Sequence, residues 1–480
     1  MSHQNQRGRP PRRFRYVYVG LAALLVAFTA LIASPVSSIA GAATAPGALS
    51  FSNTPFILPE GESEPEISIG PTGTMGIVGL QWLFQLPLGT HLWTGPFGST
   101  PTFRGLVDAD LQQPSKLVLG SEDADVDMGS TGTMHITTLI ALVNPAQNNA
   151  QLGVSAITCP NASSAAFSIS GCTRQIIGTT NSDRPWVTSE GSHVYISFHD
   201  PAHASLIDVM RSDDDGFTWQ RVGDPIVGQG GQTANATFNN IQGNLVADPV
   251  THDVFDIYAS GVTGELKGRT FTPNHIIVSR STDLGKTWTA NLVFQAPPGT
   301  SLANIFPTLA VDPTNGNLYA AWSDGNNVSF AMSSDHGAHW SPAVTVNTAP
   351  ANTAVFPWLA AYNGTVDLVY YGTNTSNDSS AVWNVYLAQT TNGGATFTQS
   401  LVSNHSNHIG VICPNGTACA PGTRNLLDLF QVAIDPQNGK AAIIYTDDTL
   451  STTTPSTGSF SCLPGETICP LPQVVLAQQQ

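Results

Sequence analysis

The stretch FPTLAVDPTNGNLYAAW runs from Phe306 to Trp322. Two apolar, β-prone runs flank an Asp-Pro pair and a glycine, which predicts a strand, a tight turn and a second strand. Related stretches begin at Glu64 (EPEISIGPTGTMGIVGL), Asp123 (DADVDMGSTGTMHITTL) and Arg184 (RPWVTSEGSHVYISF). Others begin at Gly243 (GNLVADPVTHDVFDIY), Phe356 (FPWLAAYNGTVDLVYY) and Phe430 (FQVAIDPQNGKAAIIY). The seven copies are spaced by 59, 61, 59, 63, 50 and 74 residues. A period of that size matches one four-stranded blade with its loops, and radial closure of such units leaves few exposed sheet edges. The expected fold is all-β: a β-propeller of four-stranded blades, seven by the hairpin count, with six as the alternative.

A second motif falls between the hairpins. Ser212, Asp214, Gly216 and Trp219 fit S-x-D-x-G-x-x-W; so do Ser281, Asp283, Gly285 and Trp288, and Ser333, Asp335, Gly337 and Trp340. Thr390, Asn392, Gly394 and Phe397 form a degenerate fourth copy. The chemistry is that of a turn: the Asp accepts backbone N–H bonds, glycine supplies a positive φ, and the aromatic covers the hairpin.

With these residues the chain resembles the sialidase superfamily of Asp-box (BNR-repeat) propellers over about residues 60–450, closest to secreted bacterial sialidase-like proteins. The resemblance implies an Asp-box in the outer hairpin of a blade, with a structural role for its aspartate. It also implies the activity to weigh, exo-α-sialidase chemistry, in which an arginine triad holds the substrate carboxylate. A tyrosine nucleophile backed by Glu and an Asp acid/base complete that set. True sialidases have six blades.

A residue present in every copy is most simply architectural, so the informative column is the one opening each inner strand: Glu64, Asp123, Arg184, Gly243, Phe306, Phe356 and Phe430. Inner-strand starts ring the mouth of a propeller, which brings a cation and two carboxylates of consecutive blades to one side of it. Arg184-Pro185 partly matches the family's substrate arginine, and a guanidinium can grip a carboxylate with two parallel hydrogen bonds. The plainer alternative is an ion pair of Arg184 with Asp183, Asp123 or Asp125. Arg424, with Arg104, Arg174 and Arg269, remains to complete a triad, in contexts that match nothing. Asp123 is the candidate acid/base, Glu64 its partner, and Tyr371 a candidate nucleophile, although Tyr370, Tyr371 and Tyr445 all sit where core aromatics recur. Phe306 and Phe356 are candidate rim contacts. Asp312 and Asp435 recur in Asp-Pro turns, and Asp200, Asp324, Asp447 and Asp448 recur after second strands; both sets read as structural.

Composition narrows the rest. Charged residues are only 10% of the chain, hydrophobic ones 41%, and Lys+Arg 17 against Asp+Glu 33 gives −16. Phosphate backbones need clustered cations, so nucleic acid is excluded as a partner. Arg7, Arg9, Arg12, Arg13 and Arg15 precede an apolar stretch from Tyr16 to Ala33 and the small residues Ala40-Gly41-Ala42, which describes a secretory signal over 1–42. An uncleaved membrane anchor is the alternative. Beyond it stand 12 basic residues and 33 acids, a net of −21. Residues 43–59 read as a linker and 60–480 as one propeller. Cys159 with Cys172, Cys413 with Cys419, and Cys462 with Cys469 are close pairs; in an oxidising compartment they read as nearest-neighbour disulfides. The oxygen-rich run Glu122–Asp127 suits a structural Ca²⁺, but turns explain it better, and no cofactor is expected. His199 with His203, and His405 with His408, have metal-like spacings that mouth loops explain better. Pro472–Gln480 is a candidate closing strand. The functional expectation is a secreted recognition module for extracellular glycans or glycoproteins, the alternative a glycoside hydrolase of the exo-sialidase type.

Overall fold

The computed structural model describes residues 47–82, 88–111, 117–144, 147, 149–200, 206–226, 240–261, 272–414, 419–420, 422–453 and 469–480. The signal-like residues 1–42 therefore lie outside the described residues.

There are seven antiparallel blades among the described residues, each with four strands in meander order, and the blade at 353–401 carries a short fifth strand, His408–Ile409, beside its third. Blades one to six span 62–106, 117–178, 183–223, 240–295, 308–345 and 353–401. The six-bladed alternative falls. Blade seven is composite: Gln431–Ile434 and Ala441–Asp447 are its inner strands, Gln473–Gln479 its third and Phe51–Phe56 its outermost. The C-terminal strand does bind the ring shut, through pairs running from Phe51 with Gln479 to Phe56 with Val474. The strand that completes the circle comes from within 43–59, a segment expected as linker.

Second strands are buried on both faces, because neighbouring blades cover them. In Val254–Ser260 every residue is buried, and the run is apolar but for Asp256 and Ser260. The four box turns have one geometry. Ser281 Oγ accepts the Gly285 N–H (2.9 Å) and donates to Asp283 Oδ1 (2.9 Å). Asp283 in turn accepts the Thr287 N–H (2.8 Å) and hydroxyl (2.7 Å), and Trp288 Nε1 donates to Gly285 O (3.0 Å). The Ser212 and Ser333 turns repeat the serine bonds, although Trp340 Nε1 has no hydrogen-bond partner, and Thr390 with Asn392 reproduces them without a charge. Leu284 and Gly285 both have positive φ (60° and 82°), the tight turn that a glycine here permits. Each turn joins the third and fourth strands of its blade and leans on the blade before it: Thr158 of blade two donates to Gly216 O of the blade-three turn (2.7 Å).

The Asp-Pro turns also join blades. Asp312 of blade five accepts the N–H groups of Asn363 and Gly364 in the hairpin turn of blade six (3.1 and 2.6 Å). Disulfides link Cys159 to Cys172 and Cys413 to Cys419. The third expected pair lies outside the described residues at Cys462.

Candidate functional site

The column residues owe their placement to a repeated irregularity. The inner strand shifts register at Ser63/Glu66, Asp183/Trp186, Gln242/Leu245 and Val355/Trp358, and again on either side of Glu122. Glu64, Asp123, Arg184 and Phe356 take positive φ there (46°, 23°, 55° and 56°). For side chains of that bulk the conformation is strained, and strain repeated at one position around a ring marks a place where direction matters more than backbone comfort. An extra residue per bulge turns the side chain off the pleat. Proline follows at 65, 185 and 357, where the bulge leaves no ladder bond for an N–H to make, and Pro307 stands just before the inner strand of blade five. Blade four carries Gly243 because a Cβ there would stand 2.1 Å from Pro307 O.

One side of the mouth is aromatic. Phe306, Phe356, Trp358 and Phe430, with Ile305, Pro357, Asp428 and Leu429, line an open depression of about 210 Å³. Trp186 stacks on Trp358 (5.2 Å) and meets Phe306 edge-on (5.5 Å), so the wall is rigid. The four aromatic side chains are only 2–9% exposed, so the depression is shallow. The Arg184 guanidinium lies over the Phe306 ring, 5.2 Å from its centre.

An acidic group adjoins this depression through Asp428. Glu64, 3% exposed, accepts the Asp428 N–H (2.8 Å), and Arg424 grips the Asp428 carboxylate with both terminal nitrogens. Burial raises the Glu64 carboxyl well above its ordinary range, the charges of Asp123 and Asp428 add to that, and Arg424 opposes it. Glu64, Asp123, Arg424 and Asp428 thus form one electrostatic group. The sequence could not signal Asp428, which sits in a connection without counterpart in the other blades.

Among the described residues Arg184 alone has a guanidinium with no hydrogen bond or ion pair. The ion pair weighed for it with Asp183, Asp123 or Asp125 does not form; Asp183 instead accepts its backbone N–H (3.0 Å). The other arginines are engaged. Arg104 binds Thr94, and Arg174 binds three carbonyls. Arg211 holds Asp213, Arg221 holds Asp208 and Arg280 holds Asp253. Arg269 lies outside the described residues.

Tyr371 is fully buried, packed on Phe430 (4.2 Å), and its hydroxyl accepts the Thr446 N–H (3.3 Å). Burial pushes that hydroxyl's pKa far upward. His405 and His408 do not converge on a shared point: His405 Nε2 meets Asp447 and His408 Nδ1 meets Asp448, each at 2.8 Å. The hydrogen bond to Asp447 raises the His405 pKa. His203 lies outside the described residues. In the Glu122–Asp127 run, Asp125 accepts the Val126 and Val187 N–H groups and Asp127 the Ser189 hydroxyl.

No family model matches the chain, and no curated protein matches it in sequence. Among solved structures it is similar to a protein of unknown function from Dyadobacter fermentans, at 13% identity and a TM-score of 0.48, covering 91% of this chain and 100% of that one. It is similar to a Hadza microbial sialidase at 14% identity and a TM-score of 0.41, covering 80% of this chain and 63% of the sialidase. A third similar structure is a Penicillium chrysogenum α-L-arabinanase complexed with arabinobiose, at 12% identity and a TM-score of 0.40, covering 92% and 98%.

Proposed function

We propose that this chain is a secreted, sialidase-like Asp-box propeller that recognises an extracellular glycan or glycoprotein at its mouth and does not cleave it. The observation that carries this reading is Arg184: an uncommitted guanidinium at the rim, beside a rigid aromatic wall. A carboxylate or sulfate on a sugar matches the guanidinium, and a sugar face matches the aromatics. Two disulfides support an oxidising compartment. Against catalysis by the family's route stand the commitment of the other described arginines and the sealed hydroxyl of Tyr371.

One observation favours the hydrolase reading. Glu64 is a carboxyl whose pKa burial and the neighbouring Asp123 charge push well above the ordinary range, the direction that a general acid requires. The full-length protein on an array of neutral and acidic glycans separates the two readings. Binding should saturate, fall at least about tenfold in Arg184→Ala, and survive in Tyr371→Phe. A blank array refutes recognition of glycans. Release of a fluorescent aglycone from a sialoside, abolished by Glu64→Gln, would establish the hydrolase instead.

A further inference from the structure

Two residues along from Glu64 and Asp123, the inner strands of blades one and two bring Glu66 and Asp125 into hydrogen-bond contact. Glu66 is fully buried and Asp125 is 6% exposed. Gln431 of blade seven donates to Glu66 Oε2 (2.5 Å), reaches toward Asp125 Oδ1 (3.4 Å), and accepts the Ile67 N–H (2.8 Å). Asp125 Oδ1 accepts the Val126 N–H, and Oδ2 accepts the Val187 N–H of blade three, both at 2.8 Å. Glu66 Oε1 meets no N–H or O–H donor from any neighbour.

Two touching carboxyls in a buried site cannot both be ionised, because desolvation and like charge act in the same direction. Donor placement decides which one keeps a proton. Asp125 has backbone donors on both oxygens and is the anion; Glu66, with a bare oxygen, is the acid that donates to it. We propose that this single shared proton clamps the hub, tying blades one, two, three and seven together, and that its loss as pH rises loosens that seam.

The surrounding charges do not replace it. Glu64 shares the Glu66 strand, and Asp123 and Asp127 share that of Asp125. His135 stands on the second strand of blade two, His91 on the third strand of blade one, and Tyr445 and Asp447 on the second strand of blade seven. Two arginines of the mouth are placed elsewhere: Arg424 grips Asp428, and Arg184 lies over Phe306. Neither neutralises a second carboxylate at the pair. A carboxyl of the unfolded chain loses its proton near pH 4, whereas the folded pair keeps one to higher pH. The clamp's contribution is therefore whole below the ordinary carboxyl range and is lost as pH rises through the pair's own titration.

The test is the pH dependence of urea unfolding, from about pH 4 to about pH 9, for the full-length protein and for Glu66→Gln. Gln keeps the shape and the donor without a titrating proton. Each proton held only by the folded state multiplies the unfolding constant about tenfold per pH unit. Glu66→Gln should flatten the profile by about one proton's worth of slope; identical slopes overturn the proposal. Should that variant not fold, Asp125→Asn supplies the same comparison with the donor on the other partner. An infrared difference spectrum, wild type minus variant at about pH 5, just above the ordinary carboxyl range, should contain the carbonyl band of one protonated carboxylic acid. A spectrum without that band also overturns it.

Discussion

In the box turns the recurring aspartate is the less important residue. At the blade-four copy, Ser281→Ala leaves the Gly285 N–H with no acceptor in a buried position, since Ser281 Oγ is its partner at 2.9 Å. An unpaired buried donor costs about 1–3 kcal/mol, and loss of the Ser281 bond to Asp283 adds to that, so about 2–3 kcal/mol is expected. Asp283→Ala removes bonds to the Thr287 N–H and hydroxyl, but Thr287 is exposed, water takes over both donors, and about 1 kcal/mol is expected. Asp283→Asn should lie close to wild type, because Asn392 already makes the same bond to the Thr396 N–H (3.0 Å) in the uncharged copy. Urea unfolding followed by tryptophan fluorescence gives the three midpoints. If Asp283→Ala costs as much as Ser281→Ala, the hydroxyl is not the keystone and the reasoning fails.

Two further outcomes follow from burial. Gly243→Ala would set a Cβ 2.1 Å from Pro307 O, a backbone atom that cannot swing away; the variant should lose about 3 kcal/mol or more of stability, or fail to accumulate as folded protein, and wild-type stability would contradict the close approach. Asp367, fully buried and bonded to Gln389, is raised from 3.8 to about 7 by burial. A shift of that size is worth about 4 kcal/mol, in place at about pH 4 and gone above about pH 7; Asp367→Asn should remove that fall from the stability profile, and parallel profiles would refute the assignment.

Repetition is what made the architecture readable. Seven hairpins beginning at Glu64, Asp123, Arg184, Gly243, Phe306, Phe356 and Phe430 become seven inner pairs, because each copy meets the same neighbours and so needs the same residues. Phe51–Phe56 was unreadable for the complementary reason: its partner strand is more than 400 residues away, and its own side chains alternate too weakly to advertise a strand. The column at the mouth was legible as chemistry but not as pairing. Arg184 gave no sign that it would go without a carboxylate, nor Arg424 that Asp428 would take it, since both outcomes depend on loop geometry outside the repeat. Glu66 and Asp125 went unremarked as a pair because a contact between blades has no fixed spacing in sequence.

The manner of ring closure bears on biosynthesis. The strand Phe51–Phe56 leaves the ribosome before any other in the circle, yet its docking site, Gln473–Gln479, is made after every other strand. Until then an early segment has no partner for its edge, so closure of the ring is a late, non-local step of folding. The interval before the last blade is whole is when such a molecule is most open to mispairing.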